Sequence, residues 1–150
     1  MTSTKLEAIT QFFAAYAERD RAGLASVLAD DIEWTIPGRH PLAGTKRGIP
    51  EVVAFFDQLG KAGFKAEPIF LGENADYVVD IHRGWSTALE GKVDTMWALV
   101  WRFGSDGKVR QVVNLSADQA QMDAFCWANF RLRPIPERLA EQPAASDSRP

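Results

Sequence analysis

Apolar residues recur at helical spacing from the start of the chain. Leu6, Ile9, Phe13 and Tyr16 form one stripe, Phe12 widens it, and Thr4-Lys5-Leu6-Glu7 has the S/T-x-x-E form of a capping box, so a first helix is predicted from Thr4. Asp20 is placed to cap a short second helix carrying Leu24, Val27 and Leu28. The period then changes from 3.6 to 2. Ile32, Trp34 and Ile36 alternate with polar neighbours, which predicts a strand over residues 32–36 with those three on one face. Pro37-Gly38-Arg39-His40-Pro41 neither continues a helix nor completes a ladder, and an irregular loop is expected up to Gly48. Pro50 suits the first turn of a third helix, whose buried stripe is Val52, Val53, Phe55, Phe56 and Leu59 and whose end is marked by Gly60 and Gly63.

From Phe64 to Ser116 the chain reads as an antiparallel meander, with turn signals at 72–76, 90–92 and 104–107, the last containing the hairpin pair Asp106-Gly107. Both alternating sets of Val93–Phe103 are largely apolar: Val93, Trp97, Leu99, Trp101 and Phe103 on one side, Met96, Ala98 and Val100 on the other. A strand with one wet face does not look like this, so one face is expected to line the interior and the other to be covered by a second copy of the chain. A last helix is predicted from near Asp118 through Met122, Phe125 and Trp127 to about Phe130, stopped by Pro134 and Pro136. The division expected is one domain over residues 1–132 and a C-terminal tail over 133–150, partly disordered, with Ala, Ser and Pro dominating its end.

Composition narrows the class without naming a chemistry. The 150 residues carry 17 basic and 20 acidic side chains, and no basic stripe of the kind that displaces counterions from nucleic acid. No apolar run approaches the roughly 18 residues that span a bilayer, and MTSTKLEAIT lacks the apolar core of a signal peptide. A single cysteine, Cys126, forms no internal bridge, and a cytoplasmic, reducing home is the simplest expectation. Two histidines and one cysteine, without ligand spacing, argue against zinc, and no cofactor is expected.

Three helices followed by a meander and a last helix describe an α+β cone, in which a strongly curved, mostly antiparallel sheet wraps around helices and leaves one open mouth. Within that order, Leu28-Ala29-Asp30-Asp31-Ile32-Glu33-Trp34, then Pro37-Gly38, then Gly44 and Gly48 ahead of Val52–Phe56, resembles the nuclear-transport-factor-2-like superfamily, and in particular its SnoaL-like polyketide cyclase group. Val100-Trp101-Arg102-Phe103, a turn, and Gly107-Lys108-Val109 are similar to that group's penultimate hairpin. The resemblance covers roughly residues 6–130. It implies the cone fold and a ligand pocket; activity within the superfamily is diverse. The ketosteroid isomerase branch uses a helix-1 tyrosine and a strand aspartate as oxyanion donors, with an aspartate base on the first strand. Phe12, Leu99 and Thr35 stand at those three places, so steroid isomerisation by that route is rejected.

The remaining candidates each carry a second, structural reading. The resemblance places an acid/base aspartate near Asp118, which is also positioned to cap the last helix. His82 shares a strand face with Asp80 and has the chemistry of a proton shuttle, yet Tyr77, Val79, Ile81 and Trp85 form the more apolar set, which would put His82 on the outer face. His40 is expected on the rim loop, where it would touch ligand or solvent. Asn114 and Tyr16 have the polar atoms to orient a substrate oxygen. Trp34, Trp97, Leu99 and Trp101 are expected to line the pocket, and Arg39, Lys46 and Arg47 to attract an anion to its rim. The expectation is a small enzyme working by cofactor-free acid/base chemistry on an apolar ring-containing molecule, by cyclisation, isomerisation or hydration, as a homodimer through its outer sheet face. The competing expectation is a non-catalytic hydrophobic-ligand-binding or dimerisation module of the same shape.

Overall fold

The computed structural model describes residues 3–132, so the expected tail over 133–150 lies outside the described residues. Its elements are α1 (Thr4–Glu18), α2 (Arg21–Val27), β1 (Leu28–Ile36), β2 (Gly44–Arg47), α3 (Gly48–Gly60), β3 (Lys65–Glu73), β4 (Tyr77–Ser86), β5 (Val93–Phe103), β6 (Val109–Ser116) and α4 (Gln119–Asn129). The strands form one six-stranded sheet in the order β2-β1-β6-β5-β4-β3. All neighbours are antiparallel except β1 and β6, which run parallel, and this pairing joins the first strand to the end of the meander. The α+β cone expected above is thus the architecture, with the helices on the sheet's concave side.

Three boundaries differ from the reading of the sequence. The α1 cap is Ser3 rather than Thr4: its hydroxyl accepts from Leu6 N at 3.1 Å. The first strand starts at Leu28, not Ile32, because the register shift between Leu28 and Glu33 carries the chain past Asp30 and Asp31, whose exposure hid the strand from a strict alternation. Gly44–Arg47, expected to be loop, is a strand; four residues with only Lys46 buried give no apolar period, and the pairing with β1 supplies the order. Asp20 and Asp118 cap α2 and α4 as expected.

The core is aromatic at its centre. The Phe12 ring stacks on Trp34 at 5.7 Å and meets Phe56 and Trp101 edge-on at 5.7 and 4.9 Å, while Trp34 meets Trp101 edge-on at 5.4 Å. Each such contact adds about 0.5–1.5 kcal/mol beyond area burial. The cluster ties α1 and α3 to β1 and β5, the middle of the cone.

The last helix is fastened largely by side chains reaching backbone. Asp123 accepts from Arg39 N at 3.1 Å, Trp127 Nε1 donates to Arg39 O at 2.6 Å, Asn129 bonds both N and O of Glu90 at 2.9 Å, and Gln121 accepts from Asp94 N. The first of these demands a glycine next door. Gly38 has φ +133, and a Cβ there would lie 2.5 Å from both Asp123 Oδ1 and Gln119 Nε2.

Replacing Trp101 by alanine should cost about 3–5 kcal/mol, since the side chain is fully buried against three other rings. Urea denaturation followed by circular dichroism measures it; a loss below about 1 kcal/mol would remove the cluster from its central place.

Candidate functional site

A cavity of about 350 Å³ opens inside the cone. Its walls come from α1 (Phe12, Phe13, Tyr16), β1 (Trp34, Ile36), α3 (Phe56, Leu59), the inner faces of β4 to β6 (His82, Gly84, Trp97, Leu99, Asn114) and Met122 of α4. The period-2 logic of the strands decides who faces it. On β5 the inward set is Val93, Trp97, Leu99, Trp101 and Phe103, all buried, as the alternation predicts.

On β4 the inward set is the more polar one, which corrects the expectation that Tyr77, Val79, Ile81 and Trp85 face inside. Val78, Asp80, Gly84 and Ser86 are buried and His82 lines the cavity, while Tyr77 is exposed. Two local facts explain this. Trp97 lays its indole over Gly84, donating from Nε1 to Gly84 O at 3.2 Å, in space a Cβ would close to 2.8 Å. On the other face Arg83 makes a two-pronged pair with Asp94 at 2.9 and 2.7 Å and stacks on Trp85, which keeps that set at the surface.

His82 Nδ1 lies 3.1 Å from Asp80 Oδ1. A carboxylate accepts only, so the proton of the neutral ring sits on Nδ1 and Nε2 keeps its lone pair. The strand register puts Asp80 opposite Leu99 and Leu99 opposite Asn114, so the two polar side chains flank one leucine in a row across the sheet. Asp80 Oδ2 and Asn114 Oδ1 are both buried without a hydrogen-bond partner among the described residues. A buried, unsatisfied amide oxygen is costly, and of the two residues only Asn114 lines the cavity, where a ligand can complete its bonds. Tyr16 joins from α1. Burial first, and Asp57 less, push its hydroxyl above the usual tyrosine range against the opposing pull of Arg19, so it stands as a neutral donor near pH 7.

The other candidates lie elsewhere. Trp101 is sealed in the core behind Phe12 and does not line the cavity. Asp118 also stands outside the lining: its Oδ1 accepts from Gln121 N at 3.0 Å and its Oδ2 from Gln121 Nε2 at 3.1 Å, the bonds of a helix cap. His40 is buried away from the cavity, its Nδ1 accepting from Leu42 N at 3.1 Å and its Nε2 3.9 Å from Asp123. Lys46, expected at the rim, is buried, with Nζ on the carbonyls of Leu42 and Gly44 and over the Phe55 ring. Thr35 points to the convex side, hydroxyl to hydroxyl with Thr45 at 2.8 Å, so nothing on β1 replaces the isomerase base. Phe56, Leu59 and Met122 line the cavity although their spacing reads as ordinary helix core; periodicity marks the inward stripe but not where it borders empty space. Among the described residues no three metal-ligating side chains gather, and no helix is long and apolar enough to cross a membrane.

An α+β cone with an apolar, polar-spotted cavity between helices and curved sheet defines the nuclear-transport-factor-2-like class. Residues 9–112 match the SnoaL-like domain, and the chain belongs to that family. It is 30% identical over 127 residues to the uncharacterized protein Rv0034 of Mycobacterium tuberculosis H37Rv, covering 82% of this chain and 95% of that one. Among solved structures it is similar to Bal32a from a soil-derived mobile gene cassette (TM-score 0.74, 25% identity, 82% of this chain and 96% of that one). It is also similar to TerC co-crystallised with polyporic acid (TM-score 0.71, 25% identity, 83% and 98%).

Burial, more than the neighbouring Lys46, holds the pKa of His40 below its ordinary 6.5, against the opposing effect of Asp123 and the Pro37 carbonyl. The unfolded chain therefore binds a proton there more readily than the folded one, so stability is lost as the pH falls below about 6.5 towards the folded value and is flat well above 6.5. His40→Gln should flatten this part of the curve. Urea midpoints between pH 7.5 and 5 test it, the slope and not the offset being compared; equal slopes would refute it.

Proposed function

We propose that the protein is a small enzyme that works by cofactor-free acid/base chemistry on an apolar, ring-containing molecule, with His82 as the group that moves the proton. The observation that carries the reading is His82 on the wall of an apolar cavity, with Asp80 hydrogen-bonded to its ring. Asp80 holds the imidazole in the tautomer whose Nε2 accepts. In a cyclisation, isomerisation or hydration, Nε2 takes a proton from the carbon or hydroxyl being activated, and the imidazolium returns it to the product. In this scheme the Asn114 amide and the Tyr16 hydroxyl, both on the cavity lining, bond the substrate oxygen on which negative charge gathers. Asp118, occupied as a cap, has no part in this scheme.

The test uses a panel of ring ketones and hydroxyquinones beginning with polyporic acid. Wild-type protein should speed deuterium incorporation from D₂O or product formation, read by mass spectrometry. His82→Gln should lose about 10²- to 10⁴-fold of that rate while binding is kept. A His82→Gln variant with full turnover would overturn the assignment. Binding without turnover in the wild type would favour the second reading, a ligand-binding module, which the predominance of apolar wall supports.

The convex face supports a homodimer. Phe70, Tyr77, Met96 and Leu115 are exposed there, and register places Phe70, Ile81, Ala98 and Leu115 in one row across four strands. An apolar row of that extent is costly in water. Light scattering coupled to gel filtration should give twice the chain mass, and Leu115→Glu should shift it to the monomer; a monomeric wild type would refute this.

A further inference from the structure

Beside the cavity lined by His82 lies a second hollow of about 370 Å³. The two share Tyr16, Ala17, Phe56 and Phe64 as walls, so they adjoin at what we call the Tyr16–Phe56 waist. The chemistry changes across that waist. The first hollow is almost wholly apolar, whereas the second is lined by Arg19, Arg21 and Asp57. Arg21 is matched by Asp57 at 3.2 Å, but Arg19 makes no ion pair with a carboxylate among the described residues, so one positive charge is left over.

Arg19 has a further peculiarity. It is the single non-glycine residue with positive φ among the described residues, at φ 55, where α1 ends. Glycine or asparagine takes up that left-handed conformation at lower cost, so the backbone gives no reason for an arginine. Its side chain crosses towards the end of α3, Nη2 lying 3.8 Å from where a Cβ on Gly60 would sit.

We propose that the second hollow receives a carboxylate carried on a short tail of the ring-bearing ligand, with Arg19 as the residue that selects it. The ligand class is therefore an apolar ring acid, lying across the waist with its rings towards His82. This rests on the reading of the first cavity as the ligand site.

The probes are 1-pyrenebutyrate and its neutral counterpart 1-pyrenebutanol, titrated by quenching of the protein's tryptophan fluorescence. Wild-type protein should bind the acid about fivefold more tightly than the alcohol, the scale of a partly exposed guanidinium–carboxylate pair. Arg19→Gln should abolish that preference and leave alcohol binding unchanged. Besides Arg19 and the Asp57-paired Arg21, Lys65 is a cation on the walls, at the edge of the first cavity, and Lys65→Gln should leave the preference intact. Equal binding of acid and alcohol by the wild type overturns the proposal while leaving the first cavity as a ligand site. So does a preference that survives in Arg19→Gln or is also lost in Lys65→Gln. If neither probe binds, the cavity reading falls with it.

Discussion

The structure depends on a disparity of size between what the cone encloses and what the helices can put into it. At its middle, Phe12, Trp34, Phe56 and Trp101 meet ring on ring. Beyond that plug, the sheet wall of the cavity is formed by His82 and Gly84 of β4 and Asn114 of β6, with Trp97 and Leu99 of β5. The void there is the remainder after the largest side chains have packed.

Against such a wall the polar groups are conspicuous. The apolar surroundings remove competing water from His82, Asp80 and Asn114, so each bond they make or lack weighs more than it would at the surface. The arrangement does not copy the isomerase branch of the same fold. The tyrosine position is Phe12 and the strand donor position is Leu99, and both belong to the apolar wall here, while the titratable pair sits one strand further on, on β4. One scaffold thus offers several inward places from which the same kind of chemistry can be mounted.

The elements with strong periodicity were legible: α1, α3, α4 and both faces of β5 follow from spacing alone, and the family resemblance carried the assembly into a cone. What escaped was decided by contacts between distant segments. The direction of β4 turns on Trp97 lying over Gly84 and on Arg83 bonding Asp94, neither of which shows as hydrophobicity. β2 exists because β1 offers it a ladder. Of the site, Tyr16, Trp34, His82, Trp97, Leu99 and Asn114 do come to one cavity. His40 and Trp101 go elsewhere because a loop histidine and a strand tryptophan carry no mark in sequence that distinguishes lining from interior.

The attachment of α4 has one more implication. Asp123, Trp127 and Asn129 hold Arg39 and Glu90 by main-chain atoms, and Gln121 does the same at Asp94. A clasp of that kind is indifferent to which side chains the receiving loops carry. The loop positions Arg39 and Glu90 are therefore open to variation of side chain while α4 stays in register, whereas at Gly38 a Cβ would collide with Asp123 and Gln119.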